Sequence, residues 1–405
     1  MKSTRKALGQ YMTPGDVARL MASYIPAGTT AVIDLAAGDC SLLRAVAAMH
    51  SSVALYGCEI DDAIHRKGQS SLPAARIRSG NGLEVRLQIR AADNSQVSVV
   101  ANPPYTETEV TPSMTRLLSL AFPDVSTKLG YKRAELYFLA RSLLLARKTG
   151  GIVSILMPMG FGDGDIYRHY RKSLMANYAL LEAIEVQARV FGQTEARTVL
   201  LVIDTSKSVT RKVEISRFDA ESGKKAVIYR GHLDAGERLD ARYQEGRVFA
   251  ASAQCRLADL GVTIVRGRVS YKESRDLAMP AVHTSDLSRA RRGKLDIEVQ
   301  TKKNAEENAF FSEIVAETGD ILLSRTGTRV SWKPIVVKSG RAPITDHVFR
   351  IRVPAKQKQR VARAFKHPAF ESWLASVAKG VCATVVTKKD LMAMPIFESV
   401  TKQAA

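Results

Sequence analysis

The chain has 405 residues, of which 45% are hydrophobic and 25% charged; this is an ordinary globular composition, and the length predicts two domains. No apolar stretch approaches the roughly 20 residues of a membrane span, and the start, Met1-Lys2-Ser3-Thr4-Arg5-Lys6, leads into no apolar secretory core. The net charge of +20 lies mostly in the second half, with 23 Lys+Arg against 18 Asp+Glu in residues 1–205 and 37 against 22 in 206–405; that excess suggests a polyanionic partner.

In chain order, the apolar run Ala31-Val32-Ile33-Asp34-Leu35 reads as a buried strand. The turn Ala36-Ala37-Gly38-Asp39 follows it, then a helical stretch over 42–49. A second strand, Val53-Ala54-Leu55-Tyr56-Gly57-Cys58, ends in Glu59-Ile60-Asp61. A third segment surrounds Ile77, and Val97-Ser98-Val99-Val100-Ala101 is a fourth strand. Residues 135–148 have helical apolar spacing through Leu136, Leu139, Leu143 and Leu144. Residues 151–156 and 198–203 read as further buried strands. Strands alternating with helices predict an open α/β sheet with helices on both faces.

In such sheets ligands sit outside the carboxyl ends of the strands. Asp34, Glu59, the Gly80-Asn81-Gly82 turn and Asn102 are all expected at that edge. After Ile203 the alternation stops, and 205–211 is polar and basic. Shorter strand-like pieces follow at 262–265, 320–323, 335–337 and 348–353, with a helical segment over 356–379. The predicted domains are 1–210 and an α+β unit over 211–405. Cys40, Cys58, Cys255 and Cys382 lack metal-ligand or CxxC spacing, which predicts reduced thiols with neither zinc nor disulfides.

The most telling residues are Asn102-Pro103-Pro104-Tyr105, directly after the fourth strand. The Asn102 oxygen and a neighbouring backbone carbonyl can accept two hydrogen bonds from a planar amino group, and the Tyr105 ring can stack on the flat group that carries it. Such a pocket suits transfer to an exocyclic nitrogen. The turn 34–38 allows close approach of a ligand, although Cys40 stands where the second glycine of a GxG would be. Glu59, 25 residues after Asp34, can accept hydrogen bonds from both hydroxyls of a ribose.

The series Lys6-Ala7-Leu8-Gly9-Gln10-Tyr11-Met12-Thr13-Pro14, Asp34-Leu35-Ala36-Ala37-Gly38, Cys58-Glu59-Ile60-Asp61 and Asn102-Pro103-Pro104-Tyr105 resembles the gamma group of DNA adenine-N6 methyltransferases, TaqI-like members included. The resemblance implies a Rossmann-like methyltransferase sheet, S-adenosylmethionine as cofactor and double-stranded DNA as partner. It implies a cofactor site at Gln10, Thr13, Pro14, Asp34, Ala36, Gly38, Glu59, Ile60 and Asn81. In it, Thr13 closes over the methionine part, Asp34 lies near the amino group and Glu59 holds the ribose. Asn81 stands where the family usually has an Asp for the adenine amine. Phe191 would stack on a flipped adenine opposite Tyr105. Catalysis would rest on Asn102, Pro103, Pro104 and Tyr105, with no metal.

Three later stretches look like target-recognition domains of type I restriction specificity subunits. They are 239–243, 319–328 (Gly-Asp-Ile-Leu-Leu-Ser-Arg-Thr-Gly-Thr) and 344–349 (Ile-Thr-Asp-His-Val-Phe). Arg289, Arg291, Arg292, Lys294, Arg325, Arg329 and Lys333 are then candidates for phosphate or base contact.

The resulting expectation is a stand-alone cytoplasmic modification enzyme, nucleoid-associated, of prokaryotic or phage context, with a restriction endonuclease as a possible separate partner and no membrane partner. Only a few residues precede Lys6, and no nuclease-like PD…(D/E)xK segment is evident. A protein glutamine-N5 methyltransferase would use the same tetrapeptide, but without a basic second half. A catalytically inactive DNA-binding relative is the third reading, supported only by Cys40 and Asn81.

Overall fold

The computed structural model describes residues 12–90, 95–126, 131–186, 197–207, 209–210, 212–251, 253–276, 281–290, 293–297, 313–327, 332–379 and 384–396. The chain forms two compact units, Met1–Gln244 and Glu245–Ala405.

Nine strands form the sheet of the first unit: β1 (Ala31–Asp34), β2 (Ala54–Glu59), β3 (Arg76–Ser79), β4 (Val97–Ala101), β5 (Ile152–Pro158), β6 (Ala179–Val186), β7 (Thr198–Asp204), β8 (Val213–Asp219) and β9 (Lys224–Gly231). Their spatial order is β3-β2-β1-β4-β5-β7-β6-β8-β9. The first five are mutually parallel, and β7 runs antiparallel between β5 and β6. The helices beside them are α1 (Gly15–Ala22), α2 (Ser41–Met49), α3 (Asp62–Ser71), α4 (Pro112–Ala121), α5 (Ala134–Arg147), α6 (Met159–Asp163) and α7 (Arg168–Asn177).

Both faces of the sheet are covered, so β1 and β4 are buried at every residue. The alternation of side chains sorts them into two cores. Ile33 and Val99 pack with Leu118 of α4 and Leu139 of α5, whereas Val32 and Val100 pack with Met21 of α1 and Val46 of α2. Local signals start two of the helices. Asp61 caps α3 by accepting from the Ala63 and Ile64 N–H groups, and Thr111 with Pro112 opens α4.

The chain runs outward from β1 through β2 to β3, then returns to β4 on the other side of β1. This reversal opens a crevice at the carboxyl ends of β1 and β4, where open α/β sheets hold ligands. The turn after β1 bends sharply, with Gly38 at φ 55° and Cys40 at φ 64°. Cys40 is the only described non-glycine residue with positive φ, a conformation that costs a residue with a β-carbon about 1–2 kcal/mol. Its buried sulfur lies where a β-carbon on Gly68 of α3 would come, 2.8 Å away. The thiol thus fills space that a glycine leaves.

Gly82 has a stricter constraint, because a β-carbon there would stand 1.8 Å from the Leu35 carbonyl oxygen. Gly82→Ala should push the 80–82 turn off the end of β1 and cost on the order of 2–4 kcal/mol. The denaturant midpoint checks this, and an unchanged midpoint would mean that the turn moves freely.

The sheet extends beyond the boundary expected near residue 210. β8 pairs parallel with β6 and antiparallel with β9, which keeps the chain in the first unit until Gln244. Residues 239–243 also belong to that unit. Asp240 is buried and accepts from Arg238 Nε and Nη2, each at 2.8 Å, while the Arg238 guanidinium lies 4.6 Å from the Tyr243 ring centre. Asp240 therefore anchors the last residues of the unit.

The second unit has a five-stranded sheet in the order Thr263–Arg266, Val348–Arg352, Ile321–Ser324, Ile335–Ser339, Lys294–Asp296. The helical stretch expected over 356–379 is two helices, Lys358–Lys366 and Ala369–Val377, separated at His367 and Pro368. Proline lacks the N–H that would continue the first helix.

Candidate active site

The strand ends bring the chemistry together. One cleft, with a free volume of about 260 Å³, is lined by Ala36 and Gly38 after β1, Glu59 at the end of β2 and Ile60 after it, Asn81 after β3, and Asn102 and Pro104 after β4. A smaller recess shares Met12, Ala36, Gly38 and Asn102 with it and adds Thr13, Asp34 and Ser41. Pro14 caps α1 beside this recess. Gln10 and Phe191 lie outside the described residues.

Glu59 is buried, and its carboxylate accepts from the Gly38 N–H at 2.8 Å and the Asp61 N–H at 2.9 Å. One side chain thus joins the β1 and β2 turns and forms part of the cleft wall. Ile60 is 54% exposed at that wall, a large apolar surface facing water. The Asn81 oxygen accepts from the Leu83 N–H at 3.0 Å, which fixes its amide within the turn.

Asp34 is buried, and its carboxylate accepts from the Ala36 N–H at 3.0 Å. Burial raises its pKa to about 7, and the Glu59 carboxylate contributes. Between pH 4 and 7 the folded chain holds a proton that the unfolded chain has lost, so stability falls as pH rises through that window. Asp34→Asn should flatten the slope. Denaturant midpoints at pH 5 and pH 8 measure it, and an equally steep slope in the variant would exclude Asp34 as the source.

Asn102 is held from two sides. Its Nδ2 donates to Thr13 Oγ1 at 3.1 Å, and its Oδ1 accepts from the Tyr105 hydroxyl at 3.4 Å. The second bond is long and therefore weak. Burial, reinforced by the Glu135 carboxylate, raises the Tyr105 pKa well above its ordinary value, so the phenol remains a donor. Behind Tyr105, its carbonyl oxygen accepts from Arg133 Nη2 at 3.4 Å, and Arg133 Nε donates to Glu135 Oε1 at 3.1 Å.

The sequence reading missed several lining residues: Met12, Leu83, Thr106, Glu107, Thr108, Ala134 and Phe138. Phe138 was hidden because α5 is apolar on nearly every side. Glu135 did carry a signal, being the one carboxylate in that apolar helix.

Of the basic candidates, Arg325 lies beside Arg266 and His347 at one end of the second unit's sheet. Arg289 is exposed and paired with Asp286 at 3.6 Å. Lys294 and Lys333 are exposed, and Lys294 stands opposite Val336. Arg291, Arg292 and Arg329 lie outside the described residues.

The sequence pattern of N-6 DNA methylases matches residues 1–233, more than half of the chain. The chain belongs to the N-6 DNA methylase family. No curated protein matches this family member. Among solved structures, the type IIG restriction endonuclease BpuSI is similar over 98% of this chain and 60% of its own, with TM-score 0.50 and 14% identity. The methyltransferase subunit of a type I restriction-modification system from Streptococcus thermophilus is 18% identical, with TM-score 0.45, over 60% of this chain and 53% of its own. The EcoKI M protein, of a type I restriction enzyme, is 18% identical, with TM-score 0.39, over 53% of this chain and 50% of its own. The N-6 DNA methylase chain thus spans 50–60% of the length of these structures. Its α/β sheet has the fold of class I S-adenosylmethionine-dependent methyltransferases. Among the described residues, no helix is long and apolar enough to cross a membrane, and no group of three or more His, Cys, Asp or Glu is placed to hold a metal ion.

Proposed function

We propose that this chain is a site-specific DNA adenine-N6 methyltransferase of restriction-modification type, a gamma-group relative that uses S-adenosylmethionine. In this reading the second unit recognises the DNA target, and a restriction nuclease is a separate partner. The observation that carries it is the shared cleft: Asn102 and Pro104 line the same cavity as Glu59, Gly38 and Asn81.

The donors and surfaces present fit that cofactor. The Glu59 carboxylate lines the cleft, and its oxygens are acceptors of the kind that ribose hydroxyls need. Ile60, Leu83 and Phe138 supply apolar surface for a flat purine, and the Asn81 oxygen can accept from its amine. Asp34 offers a carboxylate to an ammonium group in the adjoining recess. When bound, the cofactor would supply an electrophilic sulfonium methyl, whose S–C bond would break as the new N–C bond forms, the pair returning to sulfur as a neutral thioether.

The amine of adenine is a poor nucleophile because its lone pair is delocalised into the ring. Asn102 Oδ1 and the Pro103 carbonyl oxygen would accept its two N–H groups, favour a pyramidal nitrogen and localise the pair. The same oxygens stabilise positive charge as the new N–C bond forms, and the spare proton then leaves to water. Thr13, through the bond it accepts from Asn102 Nδ2, holds the amide in that orientation. The weak Tyr105 bond to Asn102 Oδ1 gives way to the incoming amine and frees the ring for stacking. The target base would leave the duplex, a cost of a few kcal/mol that stacking on Tyr105 offsets.

The test is incubation of the full chain with genomic DNA and methyl-labelled cofactor, followed by mapping. Label at adenine N6 in one sequence context is expected. Label on glutamine of added protein, or none on DNA, would overturn the reading.

A further inference from the structure

Two of the stretches that look like recognition-domain motifs, 319–328 through its described residues 319–327 and 344–349, meet at one end of the strands of the second unit's sheet. Strands Thr263–Arg266 and Ile321–Ser324 flank Val348–Arg352, both antiparallel to it. The ends of the first two therefore lie beside the start of the third, which gathers Arg266, Arg325, Thr326 and His347. The backbone fastens them together, because the Arg325 N–H donates to the His347 carbonyl at 2.8 Å and the Arg325 carbonyl accepts from the Val386 N–H at 3.0 Å. Gly267 lets the first strand's end close in, since a β-carbon there would lie 2.2 Å from the Thr345 carbonyl oxygen.

This end carries more positive charge than its own acids balance. Arg266 Nη2 is 3.7 Å from Asp346 Oδ2, and Arg325 Nη1 donates to the Asp346 carbonyl at 3.4 Å. His347 Nε2 is 3.7 Å from Asp346 Oδ1, a buried atom with no hydrogen-bond partner among the described residues. One carboxylate thus faces two guanidinium groups and an imidazole. Burial lowers the Arg325 pKa, and the neighbouring Arg266 charge lowers it further.

The rings have fixed directions as well. His347 Nδ1 is hydrogen-bonded to the Thr326 hydroxyl, and His283 Nδ1 lies 2.9 Å from the buried Thr345 hydroxyl. The Tyr271 ring lies against His283 at 4.5 Å, tilted by 30°, and His283 meets His347 edge-on at 5.6 Å. A mobile lysine suffices to hold a phosphate, whereas reading a base edge needs donors in set positions.

We propose that Arg266, Arg325, His347 and Thr326 form the base-reading end of the second unit, with the His283–Tyr271 pair as its support, and that they contact base edges in the major groove of duplex DNA. Arg289 and Lys294, exposed and held by no such framework, contribute phosphate contacts or none. The inference rests on the reading of the chain as a DNA methyltransferase and assigns its sequence choice to named residues.

The experiment uses the full chain and two measurements. One is the consensus around methylated adenines in genomic DNA; the other is fluorescence anisotropy against salt, on duplex carrying the wild-type site and on mixed-sequence duplex. Arg325→Ala and His347→Ala should each relax the consensus at one or more positions, with affinity for the wild-type site falling about tenfold to a hundredfold. Mixed-sequence affinity should change by less than about threefold. Arg325→Lys and His347→Gln, which keep side-chain bulk, should relax the same positions and so separate recognition from folding. Arg289→Ala with Lys294→Ala should leave the consensus intact and at most make the salt slope shallower. An unchanged consensus in all four Arg325 and His347 variants would overturn the assignment, as would a uniform loss across all sequences. A wild-type chain that neither binds nor methylates duplex would instead defeat the reading beneath it.

Discussion

Asn102→Ala should reduce methyl transfer by about a thousandfold or more, with cofactor and duplex affinities nearly unchanged. Loss of one preorganised electrostatic partner at a reacting centre costs roughly a hundred- to a thousandfold, and here the amide also orders its neighbours. Its Nδ2 donates to Thr13 and its Oδ1 accepts from Tyr105, so truncation frees both sides of the pocket. The loss should fall on kcat, because the amine needs those oxygens chiefly as its pair is drawn out of the ring. Single-turnover assays with labelled cofactor give the answer. A variant that still transfers at near the wild-type rate would remove Asn102 from its role. Thr13→Val offers a graded control, since it keeps the Asn102 amide and removes the acceptor for its Nδ2.

Glu59→Ala should weaken S-adenosylmethionine binding by about a hundredfold and lower stability by roughly 1–3 kcal/mol. The first effect follows from the loss of charge-assisted hydrogen bonds to ribose hydroxyls, the second from stranding the Gly38 and Asp61 N–H groups at a nearly buried position. Glu59→Gln keeps one carbonyl oxygen and should lie between the two. Titration calorimetry reads the affinity, and thermal unfolding without cofactor reads the stability. If stability drops while affinity holds, Glu59 is a brace between two turns and nothing more.

Much of the first unit was legible because its central strands are covered on both faces. Runs such as Val97–Ala101 contain almost nothing polar, and the first polar residues after them mark the ligand edge. Asp34, Glu59, Asn81 and Asn102 therefore fall at one sheet edge in the sequence pattern, and they line the cleft and its adjoining recess in the structure. The outer strands gave no such signal. β9 is exposed along its first four residues, and β8 mixes buried with half-buried positions, so neither reads as part of an α/β core. The first unit therefore runs past the boundary expected near residue 210 and takes in residues 239–243. Pairing of β8 on β6 decides the matter, and pairing leaves no mark on composition. Phe138 was missed for a related reason: in a helix buried almost all round, periodicity cannot say which side meets a cavity.

The buried thiol on the β1–α2 turn gives the protein an internal clock. Cys40 is wholly covered, and burial raises its pKa to about 11, so a disulfide reagent reaches it only when the turn opens. Its labelling rate thus counts openings of the loop beside the cleft, without any engineered probe. Cys58, buried within β2, supplies a second and separately timed count.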